Sequence, residues 1–133
     1  MNVLLDTHVV LWWQAGGERL SRKSRHTIAD ADELLVSPLT CWEVATLARL
    51  GRIQLDRDPT TWVRALLRLD RTALAPLTAE AAAWAGALSD AFPGDPIDRL
   101  LVATARDHRV PLISKDERLR TFARTIQDVE IIW

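Results

Sequence analysis

The chain has one cysteine, Cys41, among 133 residues. An internal disulfide cannot form, and no Cys and His spacing resembles a zinc site. Tyrosine is absent, and only two phenylalanines accompany six tryptophans. No apolar stretch approaches the roughly 20 residues that span a bilayer. The N-terminus lacks a basic region, and Asp6 interrupts the apolar run behind it, so no signal peptide is expected. Charge excess is missing too: the net charge is −1 at pH 7, which excludes a strong general pull toward nucleic acid. Repeats, linkers and low-complexity tracts are also lacking. These absences leave a single domain over residues 1–133 with no membrane segment, and a reducing cytoplasm as its expected location. A chain of this length buries roughly two-thirds of its unfolded surface, enough for a true core.

What is present is 48% hydrophobic and 26% charged, ordinary for a globular protein. Apart from Lys23 and Lys115, every basic residue is arginine. Short apolar runs alternate with helical patterns. NVLLD (2–6), ELLVSP (33–38), ALAPL (73–77), VPLISKD (110–116) and VEIIW (129–133) read as strands or extended segments. Helices are expected over 8–14, 20–31, 39–51, 61–69, 78–89, 95–108 and 117–123. Ser21, Thr78 and Asp95 serve as N-caps, and Pro96 stands at a first helical position. Alternation of this kind predicts an α/β sandwich around a mainly parallel sheet. In such folds the reactive edge lies at the carboxyl ends of the strands.

Four carboxylates fall at that edge. Asp6 ends the first strand, where alone it reads equally well as a helix cap. Glu43 shares a helical stripe with Leu39, Leu47 and Leu50. An ionised carboxylate there is costly unless partnered, either by a core-edge arginine or by a cation. Asp98 lies in the first turn of its helix, favourable for an acid in any case. Asp116 follows PLIS (111–114) and suits the cap of the next helix. Converging at one edge, the four would repel one another unless a positive ion sat between them. An all-oxygen set without thiolate or imidazole selects Mg²⁺, or Mn²⁺, over Zn²⁺. Such an ion activates water toward a phosphodiester.

LLDTH (4–8), WEVA (42–45), DPIDRLLVATA (95–105) and LISKD (112–116) resemble the four acidic motifs of PIN-domain ribonucleases. More narrowly, the chain is similar to VapC-type toxins of toxin–antitoxin pairs, over essentially its whole length and in the same order. The resemblance implies a three-layer α/β/α sandwich with a sheet of about five strands. It implies metal-binding catalytic acids at Asp6, Glu43, Asp98 and Asp116, with Thr7 and Ser114 in support. Asp95 matches an extra acid found in one subgroup and also reads as a helix cap. Where many relatives carry Asn, this chain has His8. The implied activity is Mg²⁺-dependent endonucleolytic cleavage of single-stranded or looped RNA, such as a tRNA or ribosomal RNA loop. The implied partners are a cognate antitoxin and a second copy of the chain, as a homodimer or a heterotetramer or larger assembly with antitoxin.

For RNA contacts, Arg22, Arg25 and Arg99 are the candidates. Arg22 and Arg25 lie on adjacent helical faces, which also suits a plain solvated surface. Arg99 follows Asp98 and could meet a phosphate or pair with Asp95. Trp12, Trp13, Trp42, Trp62 and Trp84 fall on predicted helices and suit core or interface packing. Two other readings compete. A phosphotransfer receiver would gather acids at a sheet edge, with Lys115 as its lysine. It would also need adjacent acids after the first strand, whereas Thr7 and His8 follow Asp6. A PIN-like domain that binds RNA or a partner without cutting is the other.

Overall fold

The first strand, β1, is only Val3–Leu5, yet all three residues are buried. Val3 and Leu5 point into one hydrophobic cluster and Leu4 into another, as the two-residue period of a strand requires. The same division holds for β2 (Leu34–Val36), where Leu34 and Val36 face one cluster and Leu35 the other. A sheet filled on both faces needs helices on both, and the computed structural model, which describes all 133 residues, shows that arrangement.

The remaining elements are α1 (Thr7–Gln14), α2 (Arg22–Asp30), α3 (Pro38–Arg49), α4 (Pro59–Arg68), β3 (Thr72–Leu74), α5 (Ala79–Ala87), α6 (Pro96–His108), β4 (Leu112–Ile113), α7 (Glu117–Ala123) and β5 (Ile131–Ile132). The five strands form one sheet in the order β3-β2-β1-β4-β5, and every pairing is parallel. Val9, Val10, Ile28 and Leu66 place α1, α2 and α4 over one face. Leu101, Val102, Ala105 and Leu119 place α6 and α7 over the other, and α5 packs on α6 through Ala81, Ala85 and Ala103. The expected three-layer α/β/α architecture and its five-stranded parallel sheet are both present.

The winding of the sheet locates a site before any side chain is considered. From β1 the chain moves outward through β2 to β3, then returns to the opposite side of β1 to lay down β4 and β5. The winding therefore reverses between β1 and β4, and the crevice at their carboxyl ends is the topological switch point. Asp6 leaves β1 there, and Ser114-Lys115-Asp116 leaves β4 there.

Two expectations need correction. The strand predicted over 110–116 is ladder-paired only at Leu112 and Ile113. Asp116 is therefore not its end but the N-cap of α7, accepting from the backbone N–H groups of Arg118 and Leu119. The stripe Leu39–Glu43–Leu47–Leu50 is not the buried side of α3. The buried residues are Thr40 and Val44, while Leu50 is exposed. α3 packs against α4, α1 and α6, and Thr40 faces α1 through a hydroxyl contact with Thr7.

Candidate active site

Each acid at the switch point is held by the start of a helix. Asp6 is the N-cap of α1: Oδ1 accepts from the Thr7 N–H at 2.7 Å. Its Oδ2 accepts from the Ser114 hydroxyl at 2.7 Å. The Ser114 Oγ in turn accepts from the Asp116 N–H at 3.2 Å. Ser114 is fully buried, so its single proton is committed to Asp6, and it ties the ends of β1 and β4 together. The cap reading of Asp6 thus accounts for one carboxylate oxygen, and the other is held by Ser114.

α6 begins with a capping box. The Asp95 side chain accepts from the Asp98 N–H at 2.9 Å, and Asp98 Oδ2 accepts from the Asp95 N–H at 3.1 Å. Such reciprocal bonds satisfy two orphan helix donors. Pro96 at the first turn has no N–H to satisfy. Gly94 is the cradle for this arrangement: a Cβ added there would lie 2.5 Å from the Asp98 Cβ and 2.6 Å from its Oδ2. We expect Gly94→Ala to displace the Asp98 carboxylate and to lower activity more than stability. Comparing thermal midpoints with turnover of the variant checks this; wild-type turnover would show that the close approach does not matter.

The electrostatics identify which acids share a space. Burial raises the pKa of Asp98 to about 7, with further increments from the charges of Asp95, Asp6 and Asp116. Asp6 is also raised, chiefly by burial of its carboxylate, and the Asp116 charge adds to that. The Ser114 and Thr7 hydrogen bonds and the nearby His8 oppose the rise. Asp6, Asp98 and Asp116 are therefore mutual neighbours. Glu43 is not among the charges that shift Asp6 or Asp98. It is half-buried on α3, and none of the chain's ion pairs supplies the arginine partner considered for it. It lies three residues beyond Thr40, whose Oγ is 3.1 Å from the Thr7 Oγ. That puts it on a helix face adjoining the start of α1.

No three His, Cys, Asp or Glu side chains, as placed, stand close enough to share one ion. The chemistry of the donors still fits a hard divalent cation. Asp6, Asp98 and Asp116 offer only carboxylate oxygens, and two of them are held above their ordinary pKa by crowding and burial. A cation would relieve that strain.

Thr7 and Ser114 are both fully buried, and each donates a hydrogen bond to Asp6. Arg99 is engaged elsewhere, and the pairing with Asp95 considered for it is not made. Its guanidinium donates to the carbonyls of Ala85, Leu88 and Ser89 and lies over the Phe92 ring, so it closes the C-terminal end of α5 and pairs with no acid. Arg22 and Arg25 are exposed on α2. Thr40, Ser37 and Gly94 went unremarked in the sequence as parts of this site. Ser37 caps α3 through the Leu39 N–H, and the Ser37-Pro38 pair was a legible cap signal.

A PIN domain family model matches residues 3–125. Ribonuclease VapC22 of Mycobacterium tuberculosis (strain ATCC 25618 / H37Rv) is 45% identical over 120 residues, covering 90% of this chain and 91% of the relative. The fold is similar to that of VapBC-1 from nontypeable Haemophilus influenzae, with TM-score 0.68 and 17% identity over 99% of this chain and 97% of that one. It is also similar to Mycobacterium tuberculosis VapC20, described as a sarcin-ricin loop cleaving toxin. There the TM-score is 0.62 and the identity 16%, over 90% of this chain and 94% of that one.

Proposed function

The chain belongs to the PIN domain family, and from that premise we propose that it is a metal-dependent endoribonuclease, the toxin of a toxin–antitoxin pair. The observation that carries the reading is the electrostatic cluster of Asp6, Asp98 and Asp116 at the switch point. The 45% identity to a ribonuclease supports RNA as substrate. Solved relatives that are VapBC complexes support a cognate antitoxin as partner. A homodimer belongs to the same proposal: Trp42 on α3 is 59% exposed beside Cys41, Ala45 and Val63, an apolar surface that a subunit interface would bury. No helix is long and apolar enough to cross a membrane.

In this reading Asp6, Asp98 and Asp116 hold the cation, Mg²⁺ or Mn²⁺, and Glu43 is the fourth acid. When bound, the ion supplies Lewis acidity and offsets charge that develops on the phosphate. The chain's own residues set the geometry. Thr7 N–H and Ser114 Oγ–H fix both oxygens of Asp6, so its carboxylate cannot rotate away. Asp95 N–H holds one oxygen of Asp98 and leaves Oδ1 without a hydrogen bond. Because Asp98 titrates near 7, occupation of the site and loss of its proton go together.

The test is cleavage of RNA by the purified chain with Mg²⁺, with Mn²⁺ and with EDTA. Cleavage with either metal and none with EDTA is expected; cleavage that persists in EDTA sinks the mechanism. Ser114→Ala probes the support. It should lower metal affinity or activity about 10- to 100-fold, as loss of a ligand's hydrogen-bond partner commonly does. An unchanged metal titration would show that Ser114 only ties the strands.

A further inference from the structure

The exposed side of α1 opens onto a cleft of about 540 Å³ that starts at His8, close to the Asp6 end of the helix. Its lining includes His8, Trp12, Arg19, Arg52 and Leu55, with Glu18 as its one acid. His8 is exposed and two residues past Asp6, and its ring centre is 5.8 Å from that of Trp12 at a 51° tilt. Trp12 packs against the core cluster that contains Val9 and Val10, and Trp133 meets it edge-on at 6.0 Å. Trp12 is therefore a braced aromatic surface rather than a loose one. The Lys115 ammonium, from the segment between Ser114 and Asp116, stands 5.6 Å from the Trp12 ring centre. The segments that deliver Asp6 and Asp116 thus also deliver groups to Trp12. His8, Arg19, Arg52 and Lys115 take part in none of the chain's ion pairs.

A fixed aromatic surface with unpaired cations around it matches the chemistry of single-stranded nucleic acid. Bases stack on the ring, and the backbone phosphates are met by the basic groups. The volume lies within the range of about 300–1,000 Å³ for small-ligand sites. Along α1, Asp6 and Trp12 are separated by about 9 Å of axial rise. That is two to three stacked nucleotide steps at roughly 3.4 Å each. A peptide finds its better match farther along, where the cleft past Leu11 is lined by Trp62, Ala65, Leu66 and Leu69 of α4 and its end.

We propose that the cleft of His8, Trp12, Arg19 and Arg52 is a nucleotide subsite. It stacks one base of a single-stranded RNA on the His8–Trp12 surface and meets the flanking phosphates with Arg19 and Arg52. The subsite rests on the reading of the acid cluster as an RNA-cutting centre and positions the strand for it. His8, exposed and tilted against Trp12, then acts as a base contact.

The experiment measures binding of a fluorescently labelled single-stranded oligoribonucleotide to the full chain by anisotropy, in EDTA so that nothing is cut. Trp12→Ala should weaken binding roughly 5- to 100-fold, and Trp12→Phe should restore most of it. Arg52 is exposed, and Arg52→Gln should weaken binding and reduce the slope of log affinity against log salt by about one. A merely structural role for Trp12 would lower the thermal midpoint of Trp12→Ala along with its affinity, whereas a stacking role weakens binding by a variant that is still folded at the assay temperature. Wild-type affinity and salt slope in both variants overturn the subsite. So does loss of antitoxin binding with RNA binding unchanged, which would assign the cleft to a peptide. Binding that depends on Trp12 and Arg52 in a chain that cuts nothing with Mg²⁺ or Mn²⁺ keeps the subsite and overturns the nuclease reading. Absence of any RNA binding overturns both.

Discussion

Asp6→Asn is expected to lower the rate of RNA cleavage by about 10²- to 10³-fold while leaving the protein folded. The substitution is nearly isosteric. An amide oxygen can still accept from the Thr7 N–H, so the cap of α1 survives. What disappears is the negative charge at the point where the sheet reverses its winding, along with an acceptor for the Ser114 proton. Ser114 would then face an NH₂ group and could rotate to accept from it. Removing an ionised group that burial already raises in pKa carries no stability penalty of its own. Single-turnover cleavage and a thermal melt on the same preparation separate the two effects. A slow but fully stable variant supports the assignment, and full activity would remove Asp6 from the chemistry.

Asp98→Asn is expected to stabilise the metal-free protein at neutral pH and to abolish cleavage at the same time. The sign follows from proton counts. The pKa of Asp98 is about 7 in the folded chain, against an ordinary 3.8 for a solvated aspartate. Between those values the folded protein keeps a proton that the unfolded chain has released. Stability therefore falls as pH rises through this window, and above pH 7 the whole penalty is present. Asp98 is only partly buried, so solvent screening reduces the penalty to about 1–2 kcal/mol. That corresponds to roughly 3–8 °C in the thermal midpoint. Asn removes the charge yet retains an acceptor for the Asp95 N–H, so the capping box is kept. The check is the melting temperature of both proteins from pH 5 to pH 8 in EDTA. The wild type should lose stability across that range, and the variant should lose less. A stabiliser that kills function is the usual mark of an acid retained for its ligand rather than for its fold.

Much of this was legible in the residues. The alternation of Val3, Leu4 and Leu5 between two cores, the caps at Ser21, Thr78 and Asp95, and the helix over 117–123 all follow from local rules that the tertiary structure does not override. The switch point was reachable only in outline. Alternating elements predict a parallel sheet, but the strand order that puts β4 beside β1 comes from long-range pairing. Glu43 shows where the reasoning ran out. A periodic stripe suggested that α3 buries the side carrying Leu39 and Leu47, yet its packing buries Val44 and Thr40, the latter against Thr7 of α1. Of the two readings of Arg99, the pairing with Asp95 is not made, for a similar reason. Its neighbour in sequence is an acid, but its length lets it reach across to the carbonyls that end α5. Gly94 could not be read at all, because its role depends on a side chain four residues away folding back over it.

The central claim is that Asp6, Asp98 and Asp116 act together as one divalent-cation site. Calorimetric titration of MnCl₂ into the wild type and into Asp6→Asn, Asp98→Asn and Asp116→Asn at pH 7.5 tests it most directly. The account predicts saturable binding to the wild type and a loss of at least about 10-fold in affinity for each variant. Wild-type Mn²⁺ affinity in all three variants would contradict it.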